Sequence, residues 1–329
     1  MSYVRPGMAL AAGLLFALAA AVRAQPTAPA VFPVKPLRLI VGFAAGGATD
    51  FLARIAAQQL TQQLGQTVSV DNRPGAGGAT GAELGARATP DGYTLTAGSS
   101  GAFSVSPHLV SKLGYDPVRD FAPVGMYSTF AYVVLVHPSI PARSIRELIA
   151  LARAQPGKLN FGSAGNASGN HLAVEQFQSL AGVKLTHVPF KGGAPALTAL
   201  MSGEIDLAFD PMITTLQQIH SGRIRALAVS TPKRAAQLPK LPTLSEAGVP
   251  GYDATNWGGI LVPAATQRTI IERLNTALNQ GLGKPDVRER LLALGAEPLT
   301  GTPQELGELI KRELARNSKI IKDAGLRAE

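Results

Sequence analysis

The chain has 329 residues, with 31 Lys and Arg against 22 Asp and Glu, 46% apolar residues, 16% charged residues and no Cys. Such a composition belongs to a folded globular chain, not a disordered one, and the missing Cys excludes a disulfide framework, a thiolate zinc site, an iron–sulfur cluster and a cysteine nucleophile. The net charge of +9 raises nucleic acid as a partner. However, the cations are dispersed (Arg38, Arg54, Arg73, Arg87, Lys112, Arg119) with no basic stripe or interleaved aromatics, which argues against it. A weak positive field suits the steering of small anions.

The first 24 residues read as a secretory signal: Arg5, an apolar run from Ala9 to Val22, then Val22-Arg23-Ala24 with small residues at the cleavage positions. The run is too short to span a bilayer about 30 Å thick. Cleavage after Ala24 is expected, with an uncleaved anchor as the alternative. Residues 25–33, with three Pro, read as a poorly ordered start of the mature chain.

Beyond it, short runs rich in Val, Ile and Leu alternate with helical patterns. The strands expected are Leu37–Phe43, Thr67–Val70, Tyr93–Ala97, Tyr132–Val136, Leu159–Phe161, Leu185–Val188, Asp206–Phe209, Ala226–Ser230 and Gly258–Val262. Several are continuous apolar runs, as in sheets covered on both faces. The first helix carries Leu52, Ile55, Ala56, Leu60 and Leu64 on one face and stops at Gly65. Ser144-Ile145-Arg146-Glu147 and Thr302-Pro303-Gln304-Glu305 have the spacing of capping boxes. After Pro263 the pattern is helical near Gln267–Leu282, Asp286–Leu294 and Pro303–Lys322. The class is α/β. No linker divides the chain, so two domains must abut or be built from discontinuous segments.

Five strand-to-helix junctions are rich in small residues: 43–50, 72–81, 98–101, 162–171 and 190–194. In an open α/β sheet such junctions emerge at the carboxyl edge, where ligands bind. Gly lets backbone approach a ligand, and helix N-termini offer free N–H groups and a positive dipole end. Loops of this kind bind anions, carboxylates included, although any single one is also explained as a tight turn.

Other motifs are weaker. Gly75, Gly77 and Gly81 miss the dinucleotide spacing by one residue. Ser99, in Ala97-Gly98-Ser99-Ser100-Gly101, approaches a hydrolase elbow, but Ala stands at its first Gly. The five His residues (108, 137, 171, 187, 220) lack the i, i+4 spacing of a helical zinc site, and no cofactor or metal is expected. His187 reads as a packed strand residue; His171, in a first helical turn, suits ligand contact and local hydrogen bonding equally. Asp50 either caps its helix, orients its loop or accepts from a ligand ammonium. Asp210, before Pro211 at a strand end, raises the same choice.

With these residues in view, the chain resembles substrate-binding proteins of the tripartite tricarboxylate transporter type, the Bordetella uptake gene (Bug) family. The likeness is carried by Pro36-Leu37-Arg38-Leu39-Ile40-Val41, Gly46-Gly47-Ala48-Thr49-Asp50, Asn72-Arg73-Pro74-Gly75-Ala76-Gly77-Gly78, Pro90-Asp91-Gly92-Tyr93 and Tyr115-Asp116-Pro117. It continues through Pro156-Gly157-Lys158-Leu159, His187-Val188-Pro189-Phe190-Lys191-Gly192, Arg225-Ala226-Leu227-Ala228-Val229 and Glu246-Ala247-Gly248. The family often has Pro where Ala44 and Ala48 stand, and a Trp near Arg316-Asn317 that is absent here.

The resemblance implies a periplasmic binding protein type 2-like fold, two α/β domains with a ligand cleft between them. The expected segments are 1–24 as signal peptide, 25–128 plus 251–329 as one domain and 129–250 as the other. It further implies a non-catalytic monomer capturing a dicarboxylate, tricarboxylate, acidic amino acid or aromatic acid for integral-membrane permease subunits in the periplasm. A receptor for a sensor kinase and, more remotely, a secreted hydrolase are the alternatives. The matched loops carry ligand contact onto Phe43, Ala45, Gly46, Gly47 and Asp50. The facing loops carry it onto Ser163, Gly165, Asn166, Ser168 and His171, and onto Lys191, Gly192 and Gly193. Ser99 and Asp210 complete the set.

Overall fold

The computed structural model describes residues 32–328, so the signal-peptide expectation and most of the 25–33 segment lie outside the described residues. From Lys35 onward the chain forms one body. Its first elements are β1 (Leu37–Val41), α1 (Ala48–Leu64), β2 (Val68–Asn72), α2 (Ala79–Ala86), β3 (Thr94–Ser99), α3 (Ser106–Leu109) and β4 (Phe121–Phe130). There follow β5 (Tyr132–Val136), α4 (Ile145–Ala154), β6 (Asn160–Ser163), α5 (Gly169–Ala181), β7 (Thr186–Pro189), α6 (Gly193–Ser202), β8 (Leu207–Pro211), α7 (Met212–His220) and β9 (Arg225–Val229). The chain closes with β10 (Asn256–Pro263), α8 (Arg268–Leu282), α9 (Pro285–Ala293), β11 (Ala296–Pro298) and α10 (Pro303–Asp323). No described helix is long and apolar enough to cross a membrane.

The strands make two sheets, one in the order β11-β4-β10-β3-β1-β2 and one in the order β7-β6-β8-β5-β9. In the first, β2, β1 and β3 are parallel while β10 runs antiparallel to both β3 and β4. In the second, β7, β6 and β8 are parallel and β5 is antiparallel to β8 and β9. Tyr132–Val136 is buried throughout, which is why its sequence shows no alternation. The helix α1 buries Leu52, Ile55, Ala56, Leu60 and Leu64, and Gly65 ends it in a left-handed cap whose N–H donates to Thr61 O. Phe161, Phe177 and Phe209 are fully enclosed in the second half, each such side chain contributing about 1.5–3 kcal/mol.

Two strands escape the sequence reading. The β4 strand contains Pro123 and Gly125, residues that normally mark a break; it holds because register shifts at Gly258/Gly259 and Ile260/Leu261 let it pair with β10 around them. The three-residue β11 is too short to show a period. Of the two capping boxes, Thr302–Glu305 is complete. At the other, Ser144 caps Glu147 N, but the Glu147 carboxylate accepts from Arg143 N, one residue further out.

The chain passes from the first sheet to the second across residue 131 alone and returns between β9 and β10. Ser230 stitches these crossings together. Its Oγ accepts from Tyr132 N at 2.9 Å and donates to Ala254 O at 2.9 Å, while its backbone N donates to Tyr132 O and its O accepts from Ala254 N.

Candidate functional site

The carboxyl ends of β1, β3, β6 and β8 meet at a cleft between the two sheets, lined by Phe43, Gly47, Ala48, Thr49, Ser99 and Gly101 from one side. The other side supplies Ala164, Ser168, Gly169, Asn170, Gly193 and Asp210, and Phe130, Tyr132, Pro211 and Asn256 close the rest. The enclosed void is about 40 Å³, room for a few waters. Wider grooves of about 560 and 760 Å³ lie elsewhere, around Ile224 and Leu238 and between β4 and α10. Neither is lined by a buried polar side chain without a partner, which the cleft has in Ser99 and Asp210.

Three long helices begin on its wall. At α1 and α6 the N-cap residues, Gly47 and Gly192, provide no side-chain cap, so their first N–H groups are left for a ligand. At α5 the N-cap Ser168 bonds His171 N, leaving Gly169 and Asn170 at the cleft. The dipole ends add positive potential. Among the described residues, no Lys, Arg or His lines the cleft, and its titratable lining residues are Asp210 and Tyr132.

Two buried polar side chains on this wall, Ser99 and Asp210, have no hydrogen-bond partner among the described residues, one from each sheet. Such groups are costly unless something else satisfies them. Burial pushes the Asp210 carboxyl up to about 7. Ser99 Oγ has no base poised on it, so the elbow-like sequence around it does not assemble a nucleophile. Beneath the cleft, Asn256 Oδ1 accepts from Ser100 Oγ at 2.8 Å and its Nδ2 donates to the Tyr132 hydroxyl. A Cβ on Gly169 would strike this network 2.5 Å from Ser100 Oγ, so only glycine lets α5 start there.

Of the residues expected from the sequence, the structure brings Phe43, Gly47, Ser99, Ser168, Gly193 and Asp210 to the cleft wall. Ala45, Gly46, Asp50, Ser163, Gly165, Asn166, His171, Lys191 and Gly192 are not on it. Asp50 lies beneath its loop: Oδ2 accepts from Gly46 N at 3.0 Å and Arg54 Nε at 2.9 Å, and Oδ1 accepts from Asn72 Nδ2 at 2.8 Å. Burial raises its pKa, but those bonds, Arg54 first, outweigh it and hold it below the usual carboxylate range. Asp50 therefore orients the loop, and its oxygens are already engaged by the protein.

His171 is likewise local. Its Nδ1 accepts from Ala167 N at 3.3 Å, its Nε2 is 3.6 Å from Glu175, and its ring stacks on His187 with centroids 4.0 Å apart. His187 in turn meets Ser163 Oγ at 2.6 Å, so Ser163 and His187 brace the 163–168 loop from behind. Lys191 is exposed. The residues the sequence reading missed, Tyr132, Asn170, Pro211 and Asn256 among them, sit at element ends. Asn256 carries a faint signal as a polar residue opening an apolar strand; Tyr132 carries none, because an aromatic at the start of an apolar run reads as core.

Comparison with known proteins places this arrangement. The model of the tripartite tricarboxylate transporter family receptor matches residues 52–326. BugT of Bordetella pertussis is 35% identical over 309 residues, 94% of this chain and 95% of that protein. Among solved structures, R. palustris Rpa4515 with adipate is 37% identical with a TM-score of 0.88, covering 91% of this chain and all of that one. MatC (Rpa3494) from Rhodopseudomonas palustris with bound malate is 32% identical with a TM-score of 0.85, covering 88% and 100%. The fold is that of the two-domain periplasmic binding proteins, and the chain belongs to the receptor family of the tripartite tricarboxylate transporters.

Proposed function

We propose that this chain is exported, loses its leader after Ala24, and acts in the periplasm as a monomeric receptor that closes on a small carboxylated acid and delivers it to integral-membrane permease subunits. The carrying observation is the convergence of the α1, α5 and α6 N-termini on a cleft wall that, among the described residues, carries no cationic side chain. Such a site holds a carboxylate through backbone N–H groups and dipole ends, with waters bridging what the protein does not reach. The adipate and malate bound by its relatives favour a diacid. Domain boundaries near 128 and 250 are supported by the distribution of strands: the first sheet's chain is left after Phe130 and rejoined at Asn256. Closure follows if the acid binds the closed form better than the open one.

The test is thermal. Protein stripped of ligand by unfolding and refolding is melted against adipate, malate, citrate, glutamate and benzoate. An acid at 100 times its Kd adds about 2.7 kcal/mol, a shift of several degrees for a chain of this size. No shift with any of the five on folded protein counts against the proposal, and capture of the neighbouring permease subunits on a column bearing the loaded receptor tests delivery.

A further inference from the structure

One group in the cleft remains without a task. Asp210 is 1% exposed, lines the cleft, and neither of its oxygens meets a donor among the described residues. It stands one residue before the Pro211 that opens α7, and its Oδ1 is 3.6 Å from where a Cβ on Gly193, the first residue of α6, would lie. Whatever reaches Asp210 therefore also faces the N-terminal ends of two helices. That field favours an anion and disfavours an ammonium. An ionised Asp210 would repel a carboxylate placed there, with no cationic side chain on the wall to offset it.

The surroundings leave few other groups to adjust. On β5, Tyr132 is the one titratable residue, and its hydroxyl couples electrostatically to Asp210. On α5, His171 and Glu175 are paired with each other. The segments β6 and α6 contain no titratable residue, and α7 carries only His220 in its last turn. Across the cleft, Asp50 on α1 is held by Arg54. The proton balance of the site thus rests on Asp210.

Building on the carboxylate reading, we infer that Asp210 enters the complex as the neutral acid and donates its hydroxyl hydrogen to a carboxylate oxygen of the ligand, so that capture takes up one proton from solvent. The neutral carboxyl satisfies the ligand and itself in one bond of the strong, charge-assisted kind. Because burial raises the Asp210 carboxyl to about 7, the group is partly ionised near neutrality before binding, which makes the uptake measurable.

The experiment is calorimetry of the full chain with adipate, malate, citrate and glutamate from pH 6 to 9, in two buffers of different ionisation enthalpy. The expected result at pH 8 is uptake approaching one proton per bound acid, with Kd weakening about tenfold per pH unit above neutrality. Asp210→Asn keeps a donor that pH cannot remove; its profile flattens, and above pH 8 it binds more tightly than the wild type. Asp210→Ala, with neither donor nor charge, binds at least tenfold more weakly than the wild type at pH 6, and the difference shrinks as pH rises and the wild-type carboxyl ionises. Binding without proton uptake, or a pH profile that Asp210→Asn leaves in place, overturns the inference while the carboxylate reading stands. Proton release on binding overturns it too, because Asp210 would then be meeting a cation. Absence of heat with all four acids overturns the carboxylate reading itself and the inference with it.

Discussion

Gly77 and Ala167 meet backbone to backbone where the two halves close: a Cβ built on Gly77 stands 2.5 Å from both the carbonyl carbon and the carbonyl oxygen of Ala167. Both residues are left-handed, at φ +62° and +59°. For Ala167 that conformation costs about 1 kcal/mol, retained because the 163–170 loop is bound on every side. Ser168 Oγ reaches Gly165 O at 2.6 Å and Asn170 Oδ1 at 2.8 Å, and Asn170 Oδ1 accepts from Ala164 N. Gly77→Ala puts a methyl group where only hydrogen fits, against backbone that has nowhere to move. The expected outcome is incomplete closure: a larger radius of gyration by small-angle scattering in saturating acid, and affinity reduced roughly ten- to a hundredfold, or about 1.4–2.8 kcal/mol. Unchanged affinity and scattering would show that this contact does not limit closure.

Asp50 supports the opposite wall without touching the cleft. Asp50→Ala releases Gly46 N, Arg54 and Asn72 together. Lost buried hydrogen bonds to a charged group suggest about 1–3 kcal/mol of destabilisation, at the lower end because Arg54 is half exposed and screened. Its folded pKa is depressed below 3.8, so the stabilisation is present above about pH 4 and fades as pH falls through the folded value. Denaturant melts of wild type and Asp50→Asn should differ at pH 7 and converge toward pH 3. A gap that persists at low pH would mean that the carboxylate charge is not what matters.

Gly192 makes the corresponding contact at the third loop. It sits at φ +131°, and a Cβ there would lie 3.1 Å from the Ala44 Cβ. Gly192→Val therefore strains its own backbone and presses on the loop of the facing half. Its melt should still be cooperative, at a midpoint lowered by a few degrees, while the acid-induced upward shift disappears. A wild-type shift in this variant would remove the 190–194 loop from the closing surface.

Nine of the eleven strands, the class, the end of α1, the start of α4 and the extents of α8, α9 and α10 were legible because their signals are local. Tyr132–Val136 is a run of five buried apolar residues, and Gly65 is a cap that only glycine adopts cheaply. The site was legible only by loop. Small residues flag where backbone approaches a ligand, but which side chain points inward depends on tertiary placement. Asp50 and His171 stand in the right loops and turn to Arg54, Gly46 N, Ala167 N and His187 instead. Asn256 and Tyr132 come from the strand starts that succeed the crossings, so their position beneath the cleft exists only once both crossings are joined through Ser230.

The His187 imidazole, stacked on His171, contributes to how the protein responds to acid. Their rings are 4.0 Å apart and tilted by 10°, with Phe161 stacked 4.7 Å from His187 and 6.2 Å from His171. Burial first, and then the neighbouring His171, push the His187 imidazole from 6.5 down to about 3. Between those values the unfolded chain binds a proton at this residue and the folded chain does not, so stability drops as pH falls below about 6.5. Asp210 acts with the opposite sign over nearly the same window: its carboxyl is raised from 3.8 to about 7, so it lowers stability as pH rises through that interval. The two contributions partly cancel in the wild type. We therefore expect melting midpoints from pH 4 to 7 to vary little in the wild type and to rise with pH in Asp210→Asn, where the His187 contribution is no longer offset. Adding His187→Gln, which keeps a donor for Ser163 Oγ and removes the titration, should flatten the profile again. Parallel profiles for Asp210→Asn and the double variant would show that His187 does not carry this part of the acid response.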